Sequence, residues 1–202
     1  YLTALGMPAG MAQMVAQGLV STGAMTYPHP TRLDIIQPGD EIQLGKRRFQ
    51  IIATPGHSDG QIIFYDPDDR LLLCGDHVLM KITPNVGIWP NGLTNPLGRF
   101  LTSLRELQAL DVRLALPGHK ALITDWRGRV NELLAHHDDR LRHTQAAVAG
   151  GATVYEAAQR VFKSDVFTPH EWRFAMAETL AHLDVLEQRG LVQRDANDTG
   201  RF

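Results

Sequence analysis

Apolar positions along this chain change their period several times, and each change marks a different kind of structure. Across residues 7–19, methionine and alanine recur with a weak helical stripe, a pattern that more often packs a core than holds a cofactor. After the Pro38-Gly39-Asp40 turn the period drops to two. Ile42 and Leu44, then Phe49, Ile51 and Ala53, alternate as short strands on either side of Gly45-Lys46. Residues 62–65 and 71–74 flank Asp66-Pro67-Asp68-Asp69 and read as a hairpin whose acids are a solvated turn. Leu97, Leu101, Leu104 and Leu107 return to helical spacing, and residues 112–116 form the next strand. Strands interleaved with a covering helix predict a mixed α/β domain over residues 1–126.

Beyond residue 126 the strands give way to helices. Val130, Leu133, Leu134, His137 and Leu141 form one stripe, in which His137 is a packing histidine and His136, Asp138 and Asp139 a solvated flank. Gly150-Gly151 breaks that helix. Thr153-x-x-Glu156 and Thr168-Pro169-His170-Glu171 are two capping boxes. The second opens a helix lined by Trp172, Met176, Leu180 and Leu183, which stops at Gly190. Residues 191–194, a turn over 195–200 and Arg201-Phe202 read as a hairpin. Residues 127–202 are thus expected to form a second, small domain of three helices and a hairpin.

Composition narrows the class. The 202 residues suffice for one moderate domain and a small one, and 44% are apolar, as in a soluble globular protein. No apolar run has the length of a membrane span, so no membrane association is expected. The single cysteine, Cys74, excludes an internal disulfide and suits a reducing, cytoplasmic setting; inside an apolar strand it is a packing residue.

Candidate chemistry lies at three strand ends. Ala53-Thr54-Pro55-Gly56-His57 places an imidazole on a Gly-bent loop, Cys74-Gly75-Asp76 a carboxylate, and Leu116-Pro117-Gly118-His119 a second imidazole. These donors suit Zn²⁺ or Fe²⁺. Separations of 19 and 43 residues exclude a compact finger and imply an open site assembled along a sheet edge. The long Pro-, Gly- and Asn-rich loop over 81–98 follows Asp76 and should border that site. Trp89 and Lys81 are candidate substrate contacts there, although Trp89 would equally serve as a plug onto the core. Asp59 could anchor a ligand imidazole through its second nitrogen but better suits a cap on the following turn. His77 points away from Asp76 if the strand continues, and His29, between two prolines, is an ordinary loop histidine.

The ordered TPGH, GD and PGH motifs resemble the metallo-beta-lactamase superfamily. The resemblance implies that His57 binds a first metal, His119 a second, and Asp76 bridges both while orienting a water shared between them. Two zinc ions are expected, with iron or manganese as alternatives, lowering the pKa of that water from 15.7 toward roughly 7. The family's His-x-His-x-Asp-His motif has no match in the chain, and the chain opens at Tyr1. The expectation is therefore that these residues are the C-terminal part of an αββα sandwich, its remaining layer and ligands lying upstream. Without that layer, one apolar sheet face should be left open.

Residues after about 127 resemble the small winged-helix domain appended to one hydrolase branch of the superfamily. From Arg127 to Phe202 there are ten basic and eleven acidic residues, a net of −1. Duplex binding draws on basic phosphate contacts, so a structural or dimerising role, or a wall of the cleft, is preferred to nucleic-acid binding, and a homodimer is compatible. The function implied is metal-dependent hydrolysis of a small-molecule ester, thioester or lactone. A metallo-ribonuclease and a non-catalytic scaffold with an incomplete site are the alternatives.

Overall fold

The computed structural model describes every residue except Met25, Thr26, Ser164, Asp165 and Thr199, with residues 20–24 described by backbone alone. The main elements are α1 (Ala9–Ala24), β1 (Glu41–Leu44), β2 (Arg47–Ala53), β3 (Ile62–Asp66), β4 (Leu71–Gly75), α2 (Pro96–Leu107), β5 (Leu114–Pro117), α3 (Trp126–Ala147), α4 (Val154–Phe162) and α5 (Pro169–Gln188). They fall into two compact units, one of residues Ile36–Asp139, the other of Tyr1–Ile35 with Arg140–Phe202.

In the first unit one sheet runs β1-β2-β3-β4-β5. The first four strands form an antiparallel meander, and β5 returns parallel to β4 through α2, the crossover that a parallel pair requires. Two antiparallel steps separate β2 from β4, so β2, β4 and β5 all point the same way and their carboxyl ends share one edge. Ile63, Tyr65, Leu72, Cys74 and Ala115 are buried, as are Leu97, Phe100, Leu101, Leu104 and Leu107 of α2. Each buried Ile, Leu or Phe among them contributes about 1.5–3 kcal/mol. The opposite row of the sheet, Phe64–Leu73–Leu116 with Leu71 and Leu114, is only half-buried.

Of the hairpin acids, Asp68 and Asp69 are exposed, as a solvated turn requires, but Asp66 is not. Asp66 is buried, and its Oδ1 accepts from the amides of Asp68 and Asp69 at 3.0 and 3.2 Å. Its Oδ2 accepts from Arg47 at 2.8 Å, and Arg47 also reaches Asp69. Burial of a carboxylate is tolerable only when its lone pairs are met in this way.

In the second unit α1 and α4 pack against α5. Both capping boxes form as the spacing predicts: Thr153 and Thr168 accept from the amides of Glu156 and Glu171, whose carboxylates reach back. Trp172, Met176, Leu180 and Leu183 are buried along α5. Met7 and Val15 are buried while Met14 is exposed, so the methionines form no continuous stripe. The hairpin expected over 191–202 differs. Arg201 bridges to Thr153, and Phe202 exchanges backbone hydrogen bonds with Ala152 at 2.9 and 3.0 Å. Among the described residues of 191–202, the only tie resembling a hairpin is Asp195 donating to Arg201 at 2.9 Å; Thr199, in the expected turn, lies outside the described residues. The winged-helix reading therefore has no wing ladder among the described residues.

Candidate metal centre

His57 follows β2, Asp76 follows β4 and His119 follows β5, so topology alone brings all three to one edge, where open α/β sheets bind ligands. Local contacts then close the distance. The Gly118 amide donates to the Gly75 carbonyl at 2.8 Å, joining the exits of β4 and β5. A Cβ at Gly118 would stand 2.5 Å from Asp76 Oδ1, so glycine there leaves room for the carboxylate where it lies. Gly56 has φ 139°, and a Cβ there would stand 2.5 Å from that of Phe100. The turn carrying His57 therefore rests on the first part of α2.

Asp76 Oδ2 lies 3.4 Å from His119 Nε2 and 3.9 Å from His57 Nε2. The partner of Asp76 Oδ1 is missing: that atom is buried with no hydrogen bond. His57 donates from Nδ1 to the Asn85 carbonyl at 2.9 Å. A carbonyl only accepts, so Nδ1 carries a hydrogen, and a neutral ring with that tautomer keeps its lone pair on Nε2. That lone pair faces another acceptor, the Asp76 carboxylate, a juxtaposition that a cation between them relieves. Among the described residues, however, no three His, Cys, Asp or Glu side chains are placed to hold one ion. The contacts are pairwise, His57 with Asp76 and His119 with Asp76, so three ligands around a single ion is not the geometry present. The donor set fits metal as two half-sites sharing one carboxylate.

Trp89 is half-buried and lines a cleft of about 320 Å³ with His57, Gly87 and Leu93. Lys81 is not in that cleft. It lines a separate groove with Arg129, Glu132 and His136. Asp59 neither anchors His57 nor caps the adjacent turn, because its Oδ2 accepts from the Leu93 amide at 3.1 Å. Its partner lies 34 residues away, beyond any local reading.

His77 faces the interior, fully buried, with Nε2 3.0 Å from Ser103 Oγ and its ring edge-to-face with Phe100. Burial, with the neighbouring His57, holds its pKa down at about 3, so the ring is neutral. Cys74 is fully buried, its Sγ 3.3 Å from the Val78 carbonyl; burial pushes the thiol up to about 12, which excludes a nucleophilic role. Phe100, which packs against both Gly56 and His77, was hidden in the sequence within a stripe of leucines.

This is a mixed α/β fold that delivers imidazole, carboxylate and imidazole from three co-directional strand ends. Residues 6–119 match the metallo-beta-lactamase superfamily and residues 141–202 the metallo-beta-lactamase-like C-terminal domain. The chain belongs to the metallo-beta-lactamase superfamily, whose members are metal-dependent and generally hydrolytic. It is similar to a solved metallo-beta-lactamase family protein of Thermus thermophilus, at 34% identity and TM-score 0.78 over 98% of this chain and 66% of that one. A beta-lactamase domain protein from Burkholderia ambifaria is 29% identical, with TM-score 0.83 over 95% and 58% of the two chains. The lactamase-like protein nscB of Arthroderma benhamiae is 27% identical over 69% of this chain and 30% of its own length. The atrochrysone carboxyl ACP thioesterase AgnL7 of Paecilomyces divaricatus is 27% identical over 56% of this chain and 37% of its own length. The chain thus spans about a third of the length of these curated relatives. Among the described residues no helix is long and apolar enough to cross a membrane.

Proposed function

We propose that the protein is a metal-dependent hydrolase of small esters, thioesters or lactones, with His57, Asp76 and His119 as ligands of a two-metal centre. The observation that carries the reading is the acceptor-rich cluster itself. Asp76 Oδ2 faces the Nε2 atoms of His119 and His57 at 3.4 and 3.9 Å, and its Oδ1 is buried with no hydrogen bond among the described residues. Bound metal would supply Lewis acidity for the carbonyl and activation of water. In this chain, His57 and His119 would hold one ion each, Asp76 would bridge, and Trp89 would form an apolar wall for the acyl group. Hydrolysis of a thioester adds water at the acyl carbon, breaks the C–S bond, and releases a carboxylic acid and a thiol. The thioesterase named among the relatives favours that substrate class.

Further ligands are needed, and we infer that a His-x-His-x-Asp-His segment upstream supplies them. The half-buried Phe64–Leu73–Leu116 row supports a covering layer there. Zinc is the preferred ion for this donor set, and a cytoplasmic location suits the lone buried cysteine. A winged-helix-like second domain and a homodimer belong to the same proposal. Metal analysis and turnover of thioester, lactone and single-stranded RNA panels, on a chain extended upstream, test it. About two metals per chain and acyl hydrolysis support the hydrolase. RNA cleavage moves the assignment to a ribonuclease, and absence of metal to a scaffold.

A further inference from the structure

The turn bearing His57 is tied to the loop after Asp76 by two hydrogen bonds running in opposite directions. The His57 ring donates to the Asn85 carbonyl at 2.9 Å, and the Leu93 amide donates to Asp59 Oδ2 at 3.1 Å. Between these ties the loop makes a tight bend, with the Gly92 amide donating to the Trp89 carbonyl at 3.1 Å and Asn91 at φ 66°. That bend walls the cleft Trp89 shares with His57.

We propose that Asp59 is a positioning residue that sets the aim of His57 through this loop. The Asn85 tie alone is weak, since a single such bond exchanges for one to water at little net gain. Ordering each loop residue costs backbone entropy, so the Asn85 carbonyl stays in front of Nδ1 only if the loop is fastened elsewhere as well. Burial of Val86 anchors one side of the loop, and Asp59 fastens its far side with a charge-assisted bond while making no ion pair among the described residues. The sequence of effects is Asp59 to Leu93, Leu93 to the Trp89–Gly92 bend, and the bend to Asn85 and the His57 tautomer. Only the consequence for metal rests on the hydrolase reading; the tautomer belongs to the chain itself.

The test uses the metal-free chain with ¹⁵N-labelled histidine, His57 being assigned from the spectrum of His57→Gln. The wild-type ring is expected in its Nδ1–H form. Asp59→Ala should relax it to the mixture a free imidazole adopts and raise amide exchange across 85–93, while Asp59→Asn, which keeps an acceptor oxygen, restores both. Metal affinity, read by chelator competition, should fall about tenfold in Asp59→Ala and hold in Asp59→Asn. An Asp59→Ala protein that keeps the tautomer and the protection overturns the proposal, as does an Asp59→Asn protein that rescues neither. A wild-type chain that binds no metal even when extended upstream defeats the hydrolase reading, while tautomer and exchange still decide the role of Asp59.

Discussion

Asp66 and Asp76 flank the same β3–β4 hairpin, one at its turn and the other just past its open end, and they are opposites. Asp66 is buried and complete: two amides serve one oxygen and Arg47 serves the other. Asp76 is about one-third exposed, with one oxygen buried and unbonded and the other facing two imidazoles beyond good hydrogen-bond length. A closed carboxylate holds a fold together. An open one, set among lone pairs, marks a place where charge must come from elsewhere.

Exchanging the two defects gives the largest expected effects. Asp76→Ala should lower metal affinity at least a hundredfold, about 2.7 kcal/mol, because both half-sites lose their shared ligand. Its apo stability should stay within about 1 kcal/mol of wild type, since a buried oxygen without a partner is removed. Asp66→Ala should do the reverse, costing about 2–3 kcal/mol of unfolding free energy through lost bonds to a charged acceptor, with metal affinity unchanged. Chelator competition and denaturant unfolding on both variants check this. If both properties fall together in either variant, the distinction between the two carboxylates is wrong.

Gly118→Ala sharpens the contrast without touching a ligand. Its Cβ would lie 2.5 Å from Asp76 Oδ1 and 3.5 Å from the Gly75 carbonyl carbon, so the carboxylate or the loop must move. Metal affinity should fall about tenfold or more, with a stability cost of about 1–2 kcal/mol. Gly150→Ala, where a Cβ meets nothing, is the control and should change neither property.

His57, Asp76 and His119 are legible in the sequence because each sits at or next to a glycine that ends an apolar run. Their convergence follows from strand direction, which the pairing of β2 to β5 supplies. The difference between Asp66 and Asp76 is not legible: both acids close apolar strands, and only the pairing of β2 with β3 brings Arg47, 19 residues away, onto one of them. Asp59 is misread for the same reason, its partner being supplied by a loop and not by its own turn. The Leu191-Val192 pair before a polar turn would suit a strand, but Arg201 and Phe202 find partners at Thr153 and Ala152. The two capping boxes, closed within three residues, are readable from sequence; bonds that need the sheet or a distant loop are not.

Glu156 and Glu171 extend the comparison to carboxylates that are closed yet exposed. Each has a pKa held below the usual 4.5, chiefly by the backbone amide of its capping threonine and then by the threonine hydroxyl. A carboxyl whose folded pKa is depressed stabilises the fold above its unfolded value, and the contribution is lost as pH falls through the folded value. Helix stability in the second unit should therefore be full above pH 4.5 and decline below it. Water surrounds both groups, so the effect is the smallest predicted here. Thr153→Ala should cost about 1 kcal/mol at neutral pH and flatten the acid slope. Glu156→Gln separates the two contributions: glutamine preserves the capping box but does not titrate, so stability at neutral pH should stay close to wild type while the acid slope shrinks. Circular dichroism melts at about pH 7 and about pH 4 measure both quantities. An unchanged acid slope in Glu156→Gln would mean that the cap bonds do not depend on the charge of the carboxylate.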